Sequence, residues 1–327
     1  MIASESPSLV AQTRFAAQFE ADVRAGLCHT GQKTLPSKYF YNALGSTLFE
    51  AITLLPEYGL TRAEERILQR HARSMVQLLP RQTLVAELGS GNGRKTRRIL
   101  DALAAREPVS YYPIEISRAA LDACEAELSG MEHVRIVSVE NEYLDGLRTV
   151  SRLRPAGAHL MVLFLGSTIG NFAPGDDAAF LREVRSFMRP GDSLLLGTDL
   201  LKDPERMLDA YDDPLGVTAA FNLNLLARMN EELESDFRLR DFRHQARFNM
   251  ASSSIEMHLV SGKQQTVTFH RGNFQAHFKA GETIWTETCH KYSSESVAEL
   301  AAASGFWVEE QWADEEWPFA ETLLRAD

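Results

Sequence analysis

The chain has 327 residues, of which 44% are hydrophobic and 24% are charged, and its formal net charge is −11. This negative balance disfavours a polyanionic partner such as nucleic acid, because such binding depends on neutralising phosphates with Lys and Arg. No apolar run reaches the ~18 residues that a membrane span requires, and the N-terminus lacks the basic and apolar regions of a secretion signal. Composition therefore predicts a soluble, cytoplasmic protein that acts on a small molecule rather than on nucleic acid or a membrane. We also expect a monomer.

Cysteine and histidine usage argues against a metal site. The three cysteines, Cys28, Cys124 and Cys289, are far apart and odd in number, which disfavours a disulfide framework and a CxxC zinc site. The nine histidines show no HExxH or other ligand spacing. We therefore expect a mechanism without a metal.

The first strong pattern is a short apolar segment, 84–88, that runs into Gly89, Gly91 and Gly93 and then into a helical pattern. A strand that ends in a glycine-rich turn and feeds a helix lets a ligand approach bare backbone. Because the dinucleotide fingerprint is GxGxxG, the GxGxG spacing leans away from NAD. Glu115, in the next strand, falls where the ribose of an adenosine ligand would lie, and this suits NAD and S-adenosylmethionine (SAM) alike.

From this turn to Asp199 the chain alternates strand and helix, which predicts βαβ units and a mostly parallel sheet. The predicted strands are 83–87, 110–115, 134–139, 159–165 and 193–199, and the predicted helices are 95–105, 118–128 and 177–187. The fourth strand is apolar throughout 161–165, as expected of a central strand that is buried on both faces.

The alternation stops after Asp199. Residues 202–230 are predicted to be mainly helical, and 255–259 and 265–269 are predicted to form a hairpin around Ser261-Gly262. A strand at 283–291 is followed by a helix at 296–304, where Ser296 and Glu299 have capping-box spacing and Gly305 suits the C′ position. Two closing strands, 306–311 and 319–324, resume the sheet. We therefore predict one domain from 63–200 with 291–327, and a second from 1–62 with 201–290.

Polar and aromatic residues also gather outside the glycine turn. The loop 166–171 follows the fourth strand, at the kind of position where ligand sites of open α/β sheets lie. Asn171 offers both an acceptor and donors there, so it could hold the amine and carboxylate of an amino acid, although Asn is also common in plain turns. Two N-terminal segments, 38–42 and 55–59, are rich in tyrosine, which taken alone is more often structural.

With these residues in view, the chain resembles the histidine Nα-methyltransferases of ergothioneine biosynthesis, which transfer three methyl groups from SAM to the amine of L-histidine to give hercynine. The resemblance runs from about residue 34 to the end. Its motifs are LPSKYFY at 35–41, LPEY at 55–58, ELGSG at 87–91, FLGSTIGN at 164–171, GTDL at 197–200, KDP at 202–204, AYDD at 210–213, GVTAAFN at 216–222 and IEM at 255–257. It implies an α/β fold: a Rossmann-like, seven-stranded SAM-methyltransferase sheet with an inserted α+β substrate-binding domain. The SAM-binding domain would be 63–200 with 291–327, and the substrate-binding domain 1–62 with 201–290.

The resemblance also implies roles for individual residues. For SAM, the implied contacts are Gly89, Gly91, Lys95 and Glu115, with Glu142 and Tyr143 near the adenine. For L-histidine and its mono- and dimethyl forms, Asn171 and Tyr211 would hold the amino-acid backbone, Tyr41 would line the methyl-transfer path, and the remaining contacts would be Tyr58, Gly166, Met257, Glu287 and Cys289. Glu287 is the residue that should select histidine, because a carboxylate facing an imidazole N–H makes a charge-assisted bond that other side chains cannot replace.

Two positions depart from the family pattern. Glu115 stands where Asp is usual, which keeps the carboxylate on a longer side chain, and Cys289 stands where the family carries Ser. Because a thiol is a weaker hydrogen-bond partner than a hydroxyl, we expect weaker histidine binding than with Ser, or a shifted substrate preference. The alternative is that Cys289 packs as a small hydrophobic residue.

Other functions stay open at the level of sequence. The nearest is the same chemistry on tryptophan or tyrosine, which Glu287 argues against. An NAD-dependent oxidoreductase is disfavoured by the glycine spacing. A catalytically silent binding module would leave Asn171, Tyr211 and Glu287 without a purpose.

Overall fold

The structure, a computed structural model, describes residues 7–173 and 175–327, with side chains from residue 15 onwards. Its α-helices are α1 (Pro7–Cys28), α2 (Ala43–Thr53), α3 (Leu60–Gln77), α4 (Arg97–Ala104), α5 (Arg118–Glu127), α6 (Tyr143–Leu153), α7 (Asp176–Ser186), α8 (Pro204–Tyr211), α9 (Val217–Glu232) and α10 (Ser294–Ala303). Its strands are β1 (Lys33–Thr34), β2 (Thr83–Leu88), β3 (Val109–Glu115), β4 (Val134–Ile136), β5 (Val139–Glu140), β6 (His159–Phe164), β7 (Ser193–Asp199), β8 (Phe242–Asn249), β9 (Ser254–Ser261), β10 (Gln265–Phe269), β11 (Phe274–Phe278), β12 (Thr283–His290), β13 (Phe306–Asp314) and β14 (Phe319–Ala326).

The chain divides into two compact units. The first unit is Met1–Tyr58 with Asp203–Cys289, and the second unit is Gly59–Lys202 with His290–Asp327. The boundaries between the units thus lie at 58/59, 202/203 and 289/290, whereas the sequence predicted them at 62/63, 200/201 and 290/291. The assignment of one unit to each ligand stays a prediction.

The second unit contains the α/β sheet, and the predicted fold class is confirmed. Its strand order is β13-β14-β7-β6-β2-β3-β4, with β5 also on β3. The strands from β7 to β4 pair in parallel, and β14 runs antiparallel to both β7 and β13, so the last two strands close the sheet as expected. Every residue of β6 is buried, which agrees with its predicted central position.

The predicted continuous strand at 134–139 is wrong, because the structure breaks it into β4 and β5. The two pieces keep one register on β3, with Tyr111 opposite Ile136 and Ile114 opposite Val139. Backbone hydrogen bonds on this side of β3 involve every second residue, namely Val109, Tyr111 and Glu115. The position between Tyr111 and Glu115 in this alternation is Pro113. Proline has no N–H to donate, and the ladder lapses opposite it.

Two helix starts also differ from prediction. Ser296 is not the N-cap of α10, because Ser293 accepts from the Ser296 N–H at 3.0 Å while the Ser296 hydroxyl accepts from the Ser293 N–H at 2.8 Å. Ser296 is therefore the third residue of α10, at the N3 position of the capping box. The predicted helix at 95–105 begins at Arg97, within the usual uncertainty of helix ends. Gly305, with φ of +79°, follows α10 as predicted.

The first unit contains a four-stranded sheet of order β1-β12-β9-β8 and a separate β10-β11 pair. The predicted hairpin between 255–259 and 265–269 is therefore wrong. β9 pairs with β8 on one side and lies beside β12 on the other, so it offers β10 no free edge. β10 pairs instead with β11, which the sequence analysis missed together with β8. The buried face of β8 carries His244 as well as Phe242, and this polar residue weakens the apolar alternation.

In the described part of the chain, none of the helices combines the length and the apolar character needed to cross a membrane.

Candidate functional site

The glycine turn of the second unit has the backbone that its sequence predicts. Gly89, Gly91 and Gly93 have φ values of +74°, +52° and +70°, a region that side chains other than glycine rarely adopt. A Cβ on Gly89 would lie 2.9 Å from the Tyr143 hydroxyl, and one on Gly93 would lie 2.6 Å from the Cys124 Sγ. A Cβ on Gly91 would meet nothing within 4 Å, so this part of the turn borders open space.

Glu115 lies at the end of β3 beside this turn. Its carboxylate accepts the N–H of Ile116 at 2.9 Å and of Ser117 at 3.4 Å. Burial raises the pKa of Glu115, while backbone N–H groups that include that of Gly91 oppose the rise. Burial, and then the Glu115 charge, raise the pKa of Tyr143. Four of the predicted cofactor residues thus lie together: Gly89, Gly91, Glu115 and Tyr143.

Glu142 immediately precedes Tyr143 as the N-cap position of α6, and its side chain is exposed and makes no capping bond.

The carboxylate of Glu87, which the sequence analysis did not single out, stabilises the glycine turn. Glu87 is buried on β2 and accepts the Thr96 hydroxyl at 2.7 Å and the Tyr111 hydroxyl. Burial raises the pKa of Glu87 to about 7, and these hydroxyls oppose the rise. Because Thr96 immediately precedes α4, Glu87 ties the end of β2 to the start of that helix. The sequence signal for this role was a single acidic residue in an otherwise apolar strand.

The loop after β6 is held in an unfavourable backbone conformation. Gly166 and Ser167 both have left-handed φ values, +72° and +58°. For a residue with a Cβ such as Ser167, this costs on the order of 1 kcal/mol. The buried Ser167 hydroxyl accepts the Asp199 N–H at 2.8 Å, which fixes the loop against β7. Asn171 ends the 3-10 helix Thr168–Asn171 that follows.

Lys95 is paired with a residue of α3. Its ammonium binds the Oε2 atom of Glu64, whose Oε1 atom accepts the Gly166 N–H at 2.5 Å. The structure therefore brings Lys95 and Gly166 together through Glu64, which the sequence analysis missed. No local pattern could have identified Glu64, because it lies 31 residues from Lys95 and 102 from Gly166.

In the first unit, the three predicted tyrosines belong to one aromatic chain. The ring centroids are 5.7 Å apart for Tyr41 and Phe49, 6.4 Å for Phe49 and Tyr58, and 6.3 Å for Tyr58 and Tyr211. Tyr58 and Tyr211 are buried, whereas Tyr41 is 38% exposed. Tyrosines far apart in sequence thus share one cluster.

The residue after Tyr41 explains how this tyrosine is placed. Asn42 is the N-cap of α2, and its Oδ1 atom accepts the Gly45 N–H at 2.8 Å and the Asn224 amide at 2.9 Å. A Cβ on Gly45 would lie 1.8 Å from the Phe40 carbonyl oxygen, so only glycine fits there. Sequence reasoning missed this arrangement, although an Asn before a helical pattern is a known N-cap signal.

A neutral hydrogen-bond network lies behind Tyr211 and Met257. His244 Nε2 donates to the Tyr211 carbonyl at 2.7 Å, and its Nδ1 accepts from the Asn222 amide at 2.8 Å. The Asn222 carbonyl in turn accepts the Thr286 hydroxyl at 2.8 Å, and that hydroxyl lies 3.0 Å from the Met257 carbonyl. Burial lowers the pKa of His244, so the ring is neutral. We assign the tautomer from these contacts.

Glu287 and Cys289 lie on β12, two residues apart. Alternate residues of a strand point to the same face, so the two side chains are neighbours. Glu287 is half-buried, and Cys289 is buried and is not part of a disulfide. The structure thus places six of the predicted substrate residues in the first unit, namely Tyr41, Tyr58, Tyr211, Met257, Glu287 and Cys289, and the other two, Gly166 and Asn171, in the second.

Across the described residues, no three side chains of His, Cys, Asp or Glu are grouped in a way that could hold a metal ion.

Comparison with known proteins gives consistent results. A family model described as a SAM-dependent, histidine-specific methyltransferase matches residues 19–326. The chain is 43% identical to the histidine N-alpha-methyltransferase of Mycobacterium tuberculosis over 307 residues, 92% of this chain and 93% of that protein. It is 42% identical to the histidine N-alpha-methyltransferase of Mycolicibacterium smegmatis over 298 residues, 90% of each. It is also 38% identical to ergothioneine biosynthesis protein 1 of Neurospora crassa over 202 residues, 62% of this chain and 23% of that protein. The chain therefore belongs to the histidine-specific, SAM-dependent methyltransferase family.

Proposed function

We propose that this protein transfers three methyl groups from SAM to the α-amino nitrogen of L-histidine and so produces hercynine, in the first step of ergothioneine biosynthesis. The observation that carries the proposal is the family match over residues 19–326. The identity of 43% over 92% of the chain supports it. The substrates are L-histidine and its mono- and dimethyl forms.

The glycine turn of the second unit suits SAM. Its backbone is open at Gly91, and the Glu115 carboxylate beside it can accept ribose hydroxyls. We assign SAM to the predicted set, Gly89, Gly91, Lys95 and Glu115, with Glu142 and Tyr143 beside the adenine. When bound, SAM supplies a methyl group on a positively charged sulfur.

The first unit suits an amino acid with an imidazole side chain. We assign Glu287 to the imidazole N–H, where a charge-assisted bond penalises substrates that lack this group. Tyr58 and Met257 are assigned to the ring, with Cys289 next to Glu287 on β12. Asn171 and Tyr211 are assigned to the amine and carboxylate of the substrate. Gly166, which lies on the same loop as Asn171, is also assigned to the substrate.

Methyl transfer is an in-line displacement that needs a neutral amine lone pair, so the role of the protein is mainly to hold the reacting atoms in line. Tyr41 is assigned to orienting the amine and relaying its proton. Because 38% of Tyr41 is exposed, the proton can pass from there to water. Anchoring the imidazole on Glu287 leaves the amine free to turn between successive transfers.

The test is to incubate the protein with SAM and, separately, with histidine, tryptophan and tyrosine, and to measure product masses. Histidine is expected to gain three methyl groups. Preferential methylation of tryptophan or tyrosine would assign another substrate, and methylation of none would overturn the proposal.

The role of Tyr41 has its own test. Removing its hydroxyl in Tyr41→Phe is expected to slow at least one of the three methylation steps, measured by single-turnover product masses. Wild-type rates for all three steps would remove Tyr41 from the mechanism.

A further inference from the structure

Two residues assigned to ligands, Lys95 and Gly166, lie on different loops and are joined by Glu64. Glu64 lies on α3 and has no exposed surface. Its two carboxylate oxygens have different partners: Oε2 binds the Lys95 ammonium and Oε1 accepts the Gly166 N–H at 2.5 Å. One side chain therefore connects the turn after β2 with the loop after β6.

This contact restrains a side chain that is otherwise mobile. A lysine side chain has many rotamers, and the Lys95 side chain is 28% exposed, so it is within reach of solvent. Burial lowers the pKa of Lys95, but the facing Glu64 carboxylate outweighs that effect and keeps the pKa above its usual value. Lys95 is therefore a charged group with a defined position.

A second buried carboxyl group, Glu321 of β14, lies beside Glu64 and also has no exposed surface. Two neighbouring carboxylates in a buried site disfavour each other's ionised form. Burial, and then the Glu64 charge, raise the pKa of Glu321 well above its usual value. Burial and the neighbouring Glu64 therefore favour the neutral form of Glu321.

The packing around Gly197 shows how closely these groups are held. A Cβ at this position of β7 would lie 3.1 Å from the Oε1 atoms of both Glu64 and Glu321, and 3.2 Å from the Gly166 nitrogen. Such contacts are tighter than ordinary ones, so a side chain here would displace the carboxyl groups. Gly197 has no left-handed φ, so space accounts for the glycine.

We propose that Glu64 is a positioning residue for methyl transfer, which holds the Lys95 ammonium and the Gly166 N–H in one fixed arrangement. The proposal rests on the proposed function, because Lys95 and Gly166 matter to the reaction only if they contact its ligands. Glu64 itself touches neither ligand and acts through these two residues.

The test measures binding of S-adenosylhomocysteine, the demethylated product, by isothermal titration calorimetry. Glu64→Gln keeps an oxygen for the Gly166 N–H but removes the charge that holds Lys95. Affinity is expected to fall about tenfold, as for the loss of one charge-assisted contact. The KM for SAM should rise in parallel while the KM for histidine changes little, a split that a general loss of folding would not produce.

The neighbouring residue provides a matched control. Glu65 pairs with Arg94 at 3.7 Å on the surface, where the side chains are 38% and 65% exposed. An exposed pair of this kind contributes little. Glu65→Gln is therefore expected to leave the affinity for S-adenosylhomocysteine unchanged.

A double variant tests whether Glu64 acts through Lys95. If it does, Glu64→Gln combined with Lys95→Met should bind S-adenosylhomocysteine no more weakly than Lys95→Met alone. Equal affinity of Glu64→Gln and wild type, or a double variant whose loss is the sum of the two single losses, would overturn the proposal. If Glu64→Gln does not fold, Glu64→Asp keeps the charge on a side chain too short for both partners, and the same loss is expected. A wild-type protein that does not bind S-adenosylhomocysteine would instead contradict the proposed function.

Discussion

Two sets of buried polar groups, one in each unit, differ in kind. The set in the second unit is ionic: Glu64 pairs with Lys95, and Asp199 pairs with Lys202 at 2.6 Å and Lys291 at 2.9 Å. In the first unit, the groups behind Tyr211 and Met257 are neutral: an imidazole, an amide and a hydroxyl. The ionic groups hold a charged side chain that is assigned to a ligand, whereas the neutral groups hold backbone carbonyls.

This difference has a physical consequence. A buried ion pair that loses one partner leaves an uncompensated charge, so its disruption affects electrostatics and pH dependence. A neutral network that loses one member leaves an unsatisfied donor or acceptor, so its disruption affects geometry and packing. Variants in the two units should therefore separate cofactor binding from substrate binding.

The largest expected effect is at Glu287 of the first unit. Glu287→Gln removes the charge assigned to the imidazole, and kcat/KM for histidine is expected to fall on the order of 100-fold, the upper range for one charged hydrogen bond. Affinity for S-adenosylhomocysteine, measured by calorimetry, should stay at the wild-type value. A fall in that affinity with unchanged KM for histidine would show that Glu287 does not serve the substrate.

The next effect is at His244, the centre of the neutral network. His244→Phe leaves the Tyr211 carbonyl without its donor, and the KM for histidine is expected to rise about tenfold, as for one buried hydrogen bond lost. His277 is the matched control, because it is an exposed histidine of the same unit, and His277→Phe should leave KM unchanged. An unaltered KM in His244→Phe with a normal Tm would separate the network from substrate binding.

The two networks should also respond to pH in opposite directions. Glu321 has a raised pKa, so the native state keeps its proton while the unfolded state releases it above about pH 4.5. Wild-type stability relative to Glu321→Gln should therefore fall as pH rises from there. His244 has a pKa lowered by burial, with Asp212 and Asp213 opposing the shift. Wild-type stability relative to His244→Gln should therefore fall as pH drops below about 6.5.

The measurement for this comparison is the Tm of wild type and both variants at pH 5 and pH 8. The Tm of Glu321→Gln relative to wild type should be higher at pH 8 than at pH 5, and that of His244→Gln should be higher at pH 5 than at pH 8. The same sign for both variants would contradict the contrast between the units.

The smallest expected effect is at Cys289. If its thiol contacts the substrate side, Cys289→Ser supplies a stronger hydrogen-bond partner, and the KM for histidine should fall about threefold. An unchanged or higher KM would support the alternative that the buried thiol only packs.

Local patterns were sufficient for the parallel sheet, the glycine turn and the Gly166 loop. Each depends on neighbouring residues: an apolar strand next to glycines, or a polar loop directly after a buried strand. The resemblance to a family then linked Tyr41, Tyr58, Tyr211, Met257 and Glu287 to one substrate. The sequence by itself therefore determined the fold class and the candidate ligand residues.

Only the tertiary structure decided what holds those residues. Glu64 meets Gly166 across 102 positions, and Asn222 meets Thr286 across 64, so no window of sequence contains either contact. The same reason explains the wrong hairpin, because β9 pairs according to which neighbours already occupy its edges. Short-range order follows from adjacent side chains, whereas burying a carboxylate or an imidazole depends on partners that only the folded chain brings near.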